Sequence, residues 1–337
     1  MTTLWTDVID PATLTGYMRE SLAAYEARQG SLETYLNNEH VPDISVSFDV
    51  GAFGLTQTAR FRAYDAEPEY GKEEGGKRVM IELPAIGQKL PISEYRALRQ
   101  RNASDQAMLN SILKCADRVV RAVSDRMELL RGVVLDTGKA TVTQTNFTIN
   151  DDFGRPAGHT VTAGAYWSIA GTDRIADLLA WQDTYRATNA VNPGTLLMSS
   201  TVYSQFRKGT QFVNTITNRP MVASDINQIL VDEGLPPITI FDRRVNYEGT
   251  LTPVLPANKI LYLPAASDSE MLGKTYWGTT LTATDLGWGI ADDEQAGIVA
   301  GVYRNEQPPV IAEVISDAIG MPVLGNAALS FSARVLA

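Results

Sequence analysis

The chain has 337 residues, 44% of them hydrophobic, enough for two packed lobes or one large one around a substantial core. Its formal net charge of −10 disfavours general binding to nucleic acid phosphates. One cysteine, Cys115, excludes an intrachain disulfide, the N-terminus lacks the pattern of a signal peptide, and no stretch is apolar enough to cross a bilayer. A soluble protein made in a cytoplasm, without a membrane partner, is expected.

Asp10 as N-cap and Pro11 at the first helical position open a helix that Gly30 closes. Its apolar stripe is Leu14, Tyr17, Met18, Leu22 and Tyr25. Such a helix packs on its own core or lies as an arm on a neighbouring subunit. Ile44, Val46 and Phe48 then alternate with polar residues, as do Ala59, Phe61 and Ala63, and later Val79, Ile81 and Leu83. A polar, glycine-rich stretch over 65–78 separates the last two runs. The pattern predicts a long β-hairpin with a charged tip and a reach of roughly 50–60 Å. A hairpin alone has too little core to be stable, so it lies on a neighbour or forms the edge of a local sheet.

The clearest helix spans 104–131, capped by Ser104 or Asp105 and stopped by Gly132, about 42 Å long. Leu109, Ile112, Ala116, Val119, Val123, Met127 and Leu130 mark its apolar face, with Cys115 beside them as a small buried hydrophobe. Lys114, Asp117, Arg118, Arg121, Asp125 and Arg126 mark the other, where Asp117–Arg121 and Arg121–Asp125 have ion-pair spacing. Strands are read over 133–135, 140–144 and 147–150, and a helix over 173–187. A strand over 196–199 leads into a helix start at Ser199 or Ser200, a helix follows at 225–233, and strands at 237–241 and 259–263. An alternating strand over 328–336 ends the chain. The fold class is α+β.

Motifs for catalysis are weak. His40 and His159 have no zinc-ligand spacing, and one cysteine cannot complete a cysteine-rich site, so no metal or cofactor is expected. From Gly132 to Lys139 the chain superficially resembles a phosphate loop. Five residues intervene between the glycines and Ala140 follows the lysine, so the hydroxyl that would hold magnesium is missing. Asp152-Phe153-Gly154 lacks the companion motifs of a kinase and reads as a turn. Acid pairs such as Glu73-Glu74 and Asp292-Asp293-Glu294 read as solvated surface, and Tyr276, Trp277 and Trp288 as packing residues rather than a sugar platform.

Charge is distributed unevenly along the hairpin. Asp65, Glu67, Glu69, Glu73 and Glu74 outnumber Lys72, Lys77 and Arg78 at the tip, whereas Lys89, Arg96, Arg99 and Arg101 face a single Glu94 beyond it. The long helix adds Arg118, Arg121 and Arg126. An acidic tip meeting a basic base or helix on another subunit would fix register; the plain alternative is that both patches are solvated.

Leu135-Asp136-Thr137-Gly138-Lys139 after a long helix, followed by Asp152-Phe153-Gly154-Arg155-Pro156, resembles the centre of a lambda-type tailed-bacteriophage major capsid protein, the phage major capsid protein E family. Trp167, the Pro193-Gly194 to Met198-Ser199 block, Leu235-Pro236-Pro237, Pro253-Val254-Leu255-Pro256 to Pro264, and Gln307-Pro308-Pro309 continue the resemblance in order. It implies the Hong Kong 97-type capsid fold: an N-terminal arm over 1–43 and an E-loop hairpin over 44–93. A P-domain over 94–189 and 306–337 would hold the long helix as its spine and receive the last strand, and an A-domain would cover 190–305. The implied function is the head shell, assembled from hexamers and pentamers of this chain around the DNA genome, with no enzyme activity. No scaffolding segment precedes the arm, so a separate scaffold protein is expected, with a portal and room for a decoration protein. The shell would enclose DNA without sequence-specific binding, and the chain would sit in the virion after assembly in the bacterial cytoplasm. An encapsulin-type compartment shell and a carboxylate-dependent hydrolase are the alternatives.

Overall fold

The computed structural model describes residues 2–50, 77–95, 105–144, 147–169, 171–214 and 219–337. The expected strand over 59–64, most of the acidic tip and Ser104 lie outside them.

Helix α1 (Pro11–Gln29) begins where the Asp10 carboxylate accepts from the Thr13 N–H at 2.8 Å and ends at Gly30, whose φ is 78°. Leu14 and Met18 are buried, whereas Tyr17 is exposed. The helix packs on this chain's own long helix and sheet rather than projecting as a free arm. Thr15 exchanges hydrogen bonds with the backbone of Ala300, and the Ser21 hydroxyl donates to Asp117 at 2.7 Å.

Helix α2 (Asp105–Thr137) is longer than the sequence pattern indicates, 33 residues and about 50 Å. Gly132 does not stop it, and 133–135 is helix rather than strand. The reason is a close approach. A Cβ on Gly132 would stand 2.1 Å from the carbonyl oxygen of Val254, so glycine is needed for contact, not for termination. Gly138, at φ 71°, follows the true end. Ile112, Val119, Val123 and Met127 lie in one hydrophobic core; Leu130, Val134 and Leu135 lie in another. The helix is thus shared by two cores.

The first core lies under a sheet ordered β1 (Thr2–Leu4), β17 (Val299–Asn305), β18 (Ala312–Leu324), β16 (Gly273–Gly278), β2 (Asn37–His40), with β5 (Ala85–Ile92) on the other edge of β18. Burial alternates along the first part of β18, with Val314, Ser316 and Ala318 buried toward α2; the Ser316 hydroxyl reaches the Val119 carbonyl at 3.1 Å. The second core surrounds a sheet ordered β12 (Ile238–Ile240), β9 (Thr195–Met198), β15 (Lys259–Leu263), β19 (Phe331–Arg334), β8 (Thr160–Thr162). All of β9 is buried, as expected for a strand covered on both faces. Helices α3 (Arg174–Asn189), α4 (Ser200–Phe206) and α5 (Ala223–Asp232) contribute Leu178, Tyr185, Phe206 and Ile226 to this core.

Two-stranded hairpins complete the chain: β3 (Ser45–Val50) with β4 (Lys77–Glu82), β6 (Lys139–Gln144) with β7 (Phe147–Asp152), β10 (Val213–Asn214) with β11 (Arg219–Pro220), and β13 (Arg244–Tyr247) with β14 (Thr250–Pro253). The β3–β4 pair is the base of the expected long hairpin, with Val46 opposite Ile81 and both buried.

Strand pairing groups the chain differently from the expected boundaries. Residues 85–92, counted with the hairpin, pair with β18 in the first sheet. Strands β16 and β17, assigned to the A-domain, also pair with β18. The last strand joins the second sheet between β15 and β8, beside the C-terminal end of the long helix. Phe331 packs edge-on against Tyr262 there, and Ser332 bonds to Asp136, which explains the placement.

Gly132→Ala discriminates contact from termination. A mere stop signal replaced by alanine would gain about 1 kcal/mol of helix propensity. The approach of Val254 predicts instead a loss of about 1–3 kcal/mol, read by denaturant unfolding of the unassembled subunit.

Candidate functional site

A groove of about 640 Å³ runs along the outer face of α2. Its walls are β5, the ends of the β6–β7 hairpin at Gln144 and Phe147, and the β13–β14 hairpin at Tyr247. Three of the basic residues singled out in the sequence line it. Arg118 is exposed there. Arg121 pairs with Asp117 at 3.8 Å and lies 4.9 Å over the Tyr25 ring. Arg126 stacks 5.0 Å over the Tyr247 ring. The spacing Arg121–Asp125 does not become a pair, because Asp125 accepts from Arg243 at 2.9 Å and from the Tyr25 hydroxyl.

Other predicted contact residues scatter. Lys89 sits on the face of β5 opposite Ile86 and Leu90, which pack toward α2, and pairs with Glu313 at 3.1 Å. The Arg78 guanidinium donates across its hairpin to the Ser47 hydroxyl at 3.0 Å. Asp65, Glu67, Glu69, Glu73, Glu74, Arg96, Arg99 and Arg101 lie outside the described residues.

Beneath the groove is a polar cluster that sequence patterning does not indicate. Glu128 is fully buried. Its carboxylate accepts from the Leu32 N–H at 2.6 Å, the Ser31 hydroxyl at 3.1 Å and Arg131 at 3.0 Å, with Arg243 at 3.7 Å. Arg131 also donates to Asn38 at 2.6 Å and Thr275 at 3.0 Å. Arg243 donates to the Gly30 carbonyl at 2.9 Å. One buried carboxylate therefore ties the turn after α1, the first sheet and the β13 segment to α2. Its only trace in the sequence is a Glu and an Arg three apart within the apolar stripe.

The Leu135–Lys139 and Asp152–Pro156 motifs meet at the end of α2. The Arg155 guanidinium donates to the carbonyls of Leu135 and Asp136, satisfying groups that a helix leaves unpaired. Burial lowers the Arg155 pKa to about 10 while nearby Asp136 opposes the shift. The Asp136 carboxylate takes both a Lys259 ammonium at 2.8 Å and the Ser332 hydroxyl at 2.8 Å. Lys139 pairs with Asp152 at 2.6 Å across the first rung of β6–β7, and Asp152 accepts from the Gly154 N–H, closing the expected turn. The pair and that N–H hold the Asp152 carboxyl below the usual range.

His159 is buried between Tyr185 and Phe331, near the Ser330 carbonyl and the Thr188 hydroxyl, and burial lowers its pKa. Trp277 and Trp288 are buried, which fits packing rather than a sugar platform. No group of His, Cys, Asp and Glu suited to a metal ion occurs among the described residues.

These features meet a decisive comparison: the sequence profile described as phage major capsid protein E matches residues 15–280. The chain belongs to the phage major capsid protein E family. A prophage protein of Escherichia coli CFT073, described as its capsid protein, superposes with a TM-score of 0.67 at 14% identity, covering 97% of this chain and 99% of that one. A phage-related protein of Bordetella bronchiseptica RB50 gives 0.58 at 14% identity, with 96% of each chain covered. A virus-like particle protein of Pyrococcus furiosus gives 0.51 at 12% identity, over 95% of this chain and 98% of that one. A search of curated proteins finds no match. The fold is the Hong Kong 97-type capsid fold, and the chain is a phage major capsid protein. The buried clusters are thus the frame of a shell subunit.

Two substitutions test this frame. Removing one partner of a buried ion pair leaves an uncompensated charge, so Glu128→Gln should cost about 3–5 kcal/mol in denaturant unfolding. The exposed Lys114→Gln should stay within about 0.5 kcal/mol. Glu26 has the opposite signature. Burial raises its pKa, partly offset by the Ser124 hydroxyl that donates to it at 2.6 Å, with Arg131 lowering and Glu33 and Glu128 raising it further. A raised folded-state pKa favours the protonated form, so the stabilisation is complete at low pH and is lost as pH rises through the folded pKa. Glu26→Gln should therefore melt higher than the natural protein at neutral pH, the gap closing below pH of about 4.

Proposed function

We propose that this chain assembles with copies of itself into hexamers and pentamers of an icosahedral head shell. The carrying observation is the basic groove on α2 in a chain that holds an acidic segment between β3 and β4. Residues 65–76 bring Asp65, Glu67, Glu69, Glu73 and Glu74 against Lys72 alone. The β3–β4 pair, from Ser45–Glu82 to Val50–Lys77, joins the two ends of that segment. In a ring of identical subunits a head-to-tail contact sets one patch against a different patch of the neighbour. The acidic segment of one copy then lies in the groove of the next, near Arg118, Arg121 and Arg126. Complementary charge of this kind mainly guides encounter and register.

The shell encloses DNA without reading its sequence, as suits a chain of net charge −10. Among the described residues no helix is long and apolar enough to cross a membrane. A separate scaffold protein, a portal and a decoration protein complete the proposed assembly, which forms in the bacterial cytoplasm and remains as the virion capsid. Electron microscopy of the purified chain should show closed shells or capsomers; discrete small particles alone would contradict the reading.

The docking has its own test. Glu73→Lys with Glu74→Lys should slow capsomer formation, followed by light scattering, and adding Arg118→Glu to the same chain should partly restore it. Unchanged rates at low salt, where screening is weakest, would exclude the contact.

A further inference from the structure

The first sheet has a second face, turned away from α2 and touched by the start of α1 at Ala12. Ala300 and Val302 of β17 point to the helices, whereas Val299 and Tyr303 point the other way. The chain between β16 and β17 folds over part of that face. Trp288 lies on Gly301, where a Cβ would come within 2.5 Å of its ring. With Ala283, Ile290 and Val299 it forms a small core. The segment is firmly held: the Thr282 hydroxyl donates to Asp317 at 2.8 Å, Trp288 bonds to the Tyr303 hydroxyl at 3.3 Å, and Asp285 accepts from the Gly287 N–H at 2.9 Å.

From this anchored segment two leucines project, Leu281 at 90% exposure and Leu286 at 97%. A mobile loop could show such leucines at no consequence; an ordered one keeps apolar surface in water, which is commonly the mark of an interface. Next to Leu281, whose neighbour Thr282 lines it, lies a shallow trough of about 480 Å³. Gly87 and Ile315 form part of its floor, and Lys89, Thr282, Tyr303 and Asp317 line it. Lys89 and Asp317 place opposite charges around the same depression.

We propose that this face binds the same face of a second copy, each copy's leucine ridge seating in the other's trough. A ridge next to a trough is self-complementary under a two-fold axis, since each copy supplies both halves of the contact. The charges obey the same rule, because Lys89 of one copy meets Asp317 of the other. The contact differs from the groove on α2, which lies across the sheet. The proposal rests on the self-assembly reading, because a second copy is the occupant.

The experiment mixes two single-cysteine variants of the full chain, Leu281→Cys and Lys89→Cys, and oxidises them during assembly. Cys115 is buried and should stay silent. The mixture should give a disulfide-linked dimer on a non-reducing gel; Leu281→Cys mixed with Leu251→Cys, exposed on another hairpin, should not. Leu281→Asp with Leu286→Asp should fold normally and lower the yield of closed shells about tenfold or more, the effect of losing one well-buried leucine contact. Shells without the cross-link, or undiminished shells from the double aspartate variant, would overturn this contact and leave the self-assembly reading intact. Failure of the natural chain to form shells would instead strike at that reading.

Discussion

Glu128 is the point on which the subunit depends. A buried carboxylate is costly to desolvate, and it is tolerated only when its partners are all in place. Here they come from three separate stretches of chain: Ser31 and Leu32 after α1, Arg131 on α2, and Arg243 before β13, with Asn38 and Thr275 holding Arg131 from behind. An apolar replacement could contribute as much stability, but not the same positional demand. Every donor must arrive at its own distance, so the turn after α1, the first sheet and the β13 segment are placed relative to α2 together.

The C-terminal end of α2, about two turns beyond Glu128, is fixed by a different device with the same logic. Arg155 closes the helix carbonyls and Asp136 collects Lys259 and Ser332. The helix passes from one hydrophobic core to the other between Met127 and Leu130, beside Glu128, and Gly132 then admits the close approach of Val254 from the second core. A single helix packed into both cores holds the two lobes in one relation. That is the mechanical requirement of a subunit in a curved shell, where both lobes must keep their relation while contacts are made at their edges.

Much of this was legible in the sequence, for identifiable reasons. The Asp10–Pro11 start and Gly30 end of α1 follow from local chemistry, and local chemistry is what sequence carries well. The alternation in 45–50 and 79–83 gave the base of the hairpin, and Ser199 was readable as a cap. Gly132 misled because a glycine needed for a close approach looks the same as one that ends a helix; only Val254, more than a hundred residues away, tells them apart. Sheet membership is equally hard to read: β16 and β17 take their place beside β18 through pairing that has no local signature. Among the contact residues, Arg118 and Arg121 were drawn together by helical spacing, while Lys89 was separated from them by the two-residue alternation of a strand.

A net charge of −10 per copy poses a physical difficulty for any shell built from this chain. Like charges repel, and many copies brought together around an anionic genome would repel strongly unless the charge is unevenly placed. The unevenness is present. Basic residues concentrate along one groove of α2, while the segment between β3 and β4 holds a dense acidic run. In the proposed docking, setting one against the other would relieve the repulsion locally. The apolar ridge of Leu281 and Leu286 serves the complementary need, since it carries no charge to desolvate and loses little in salt. Directional charge to choose the partner and apolar contact to hold it are separate tasks, and this subunit keeps them on opposite faces of one sheet.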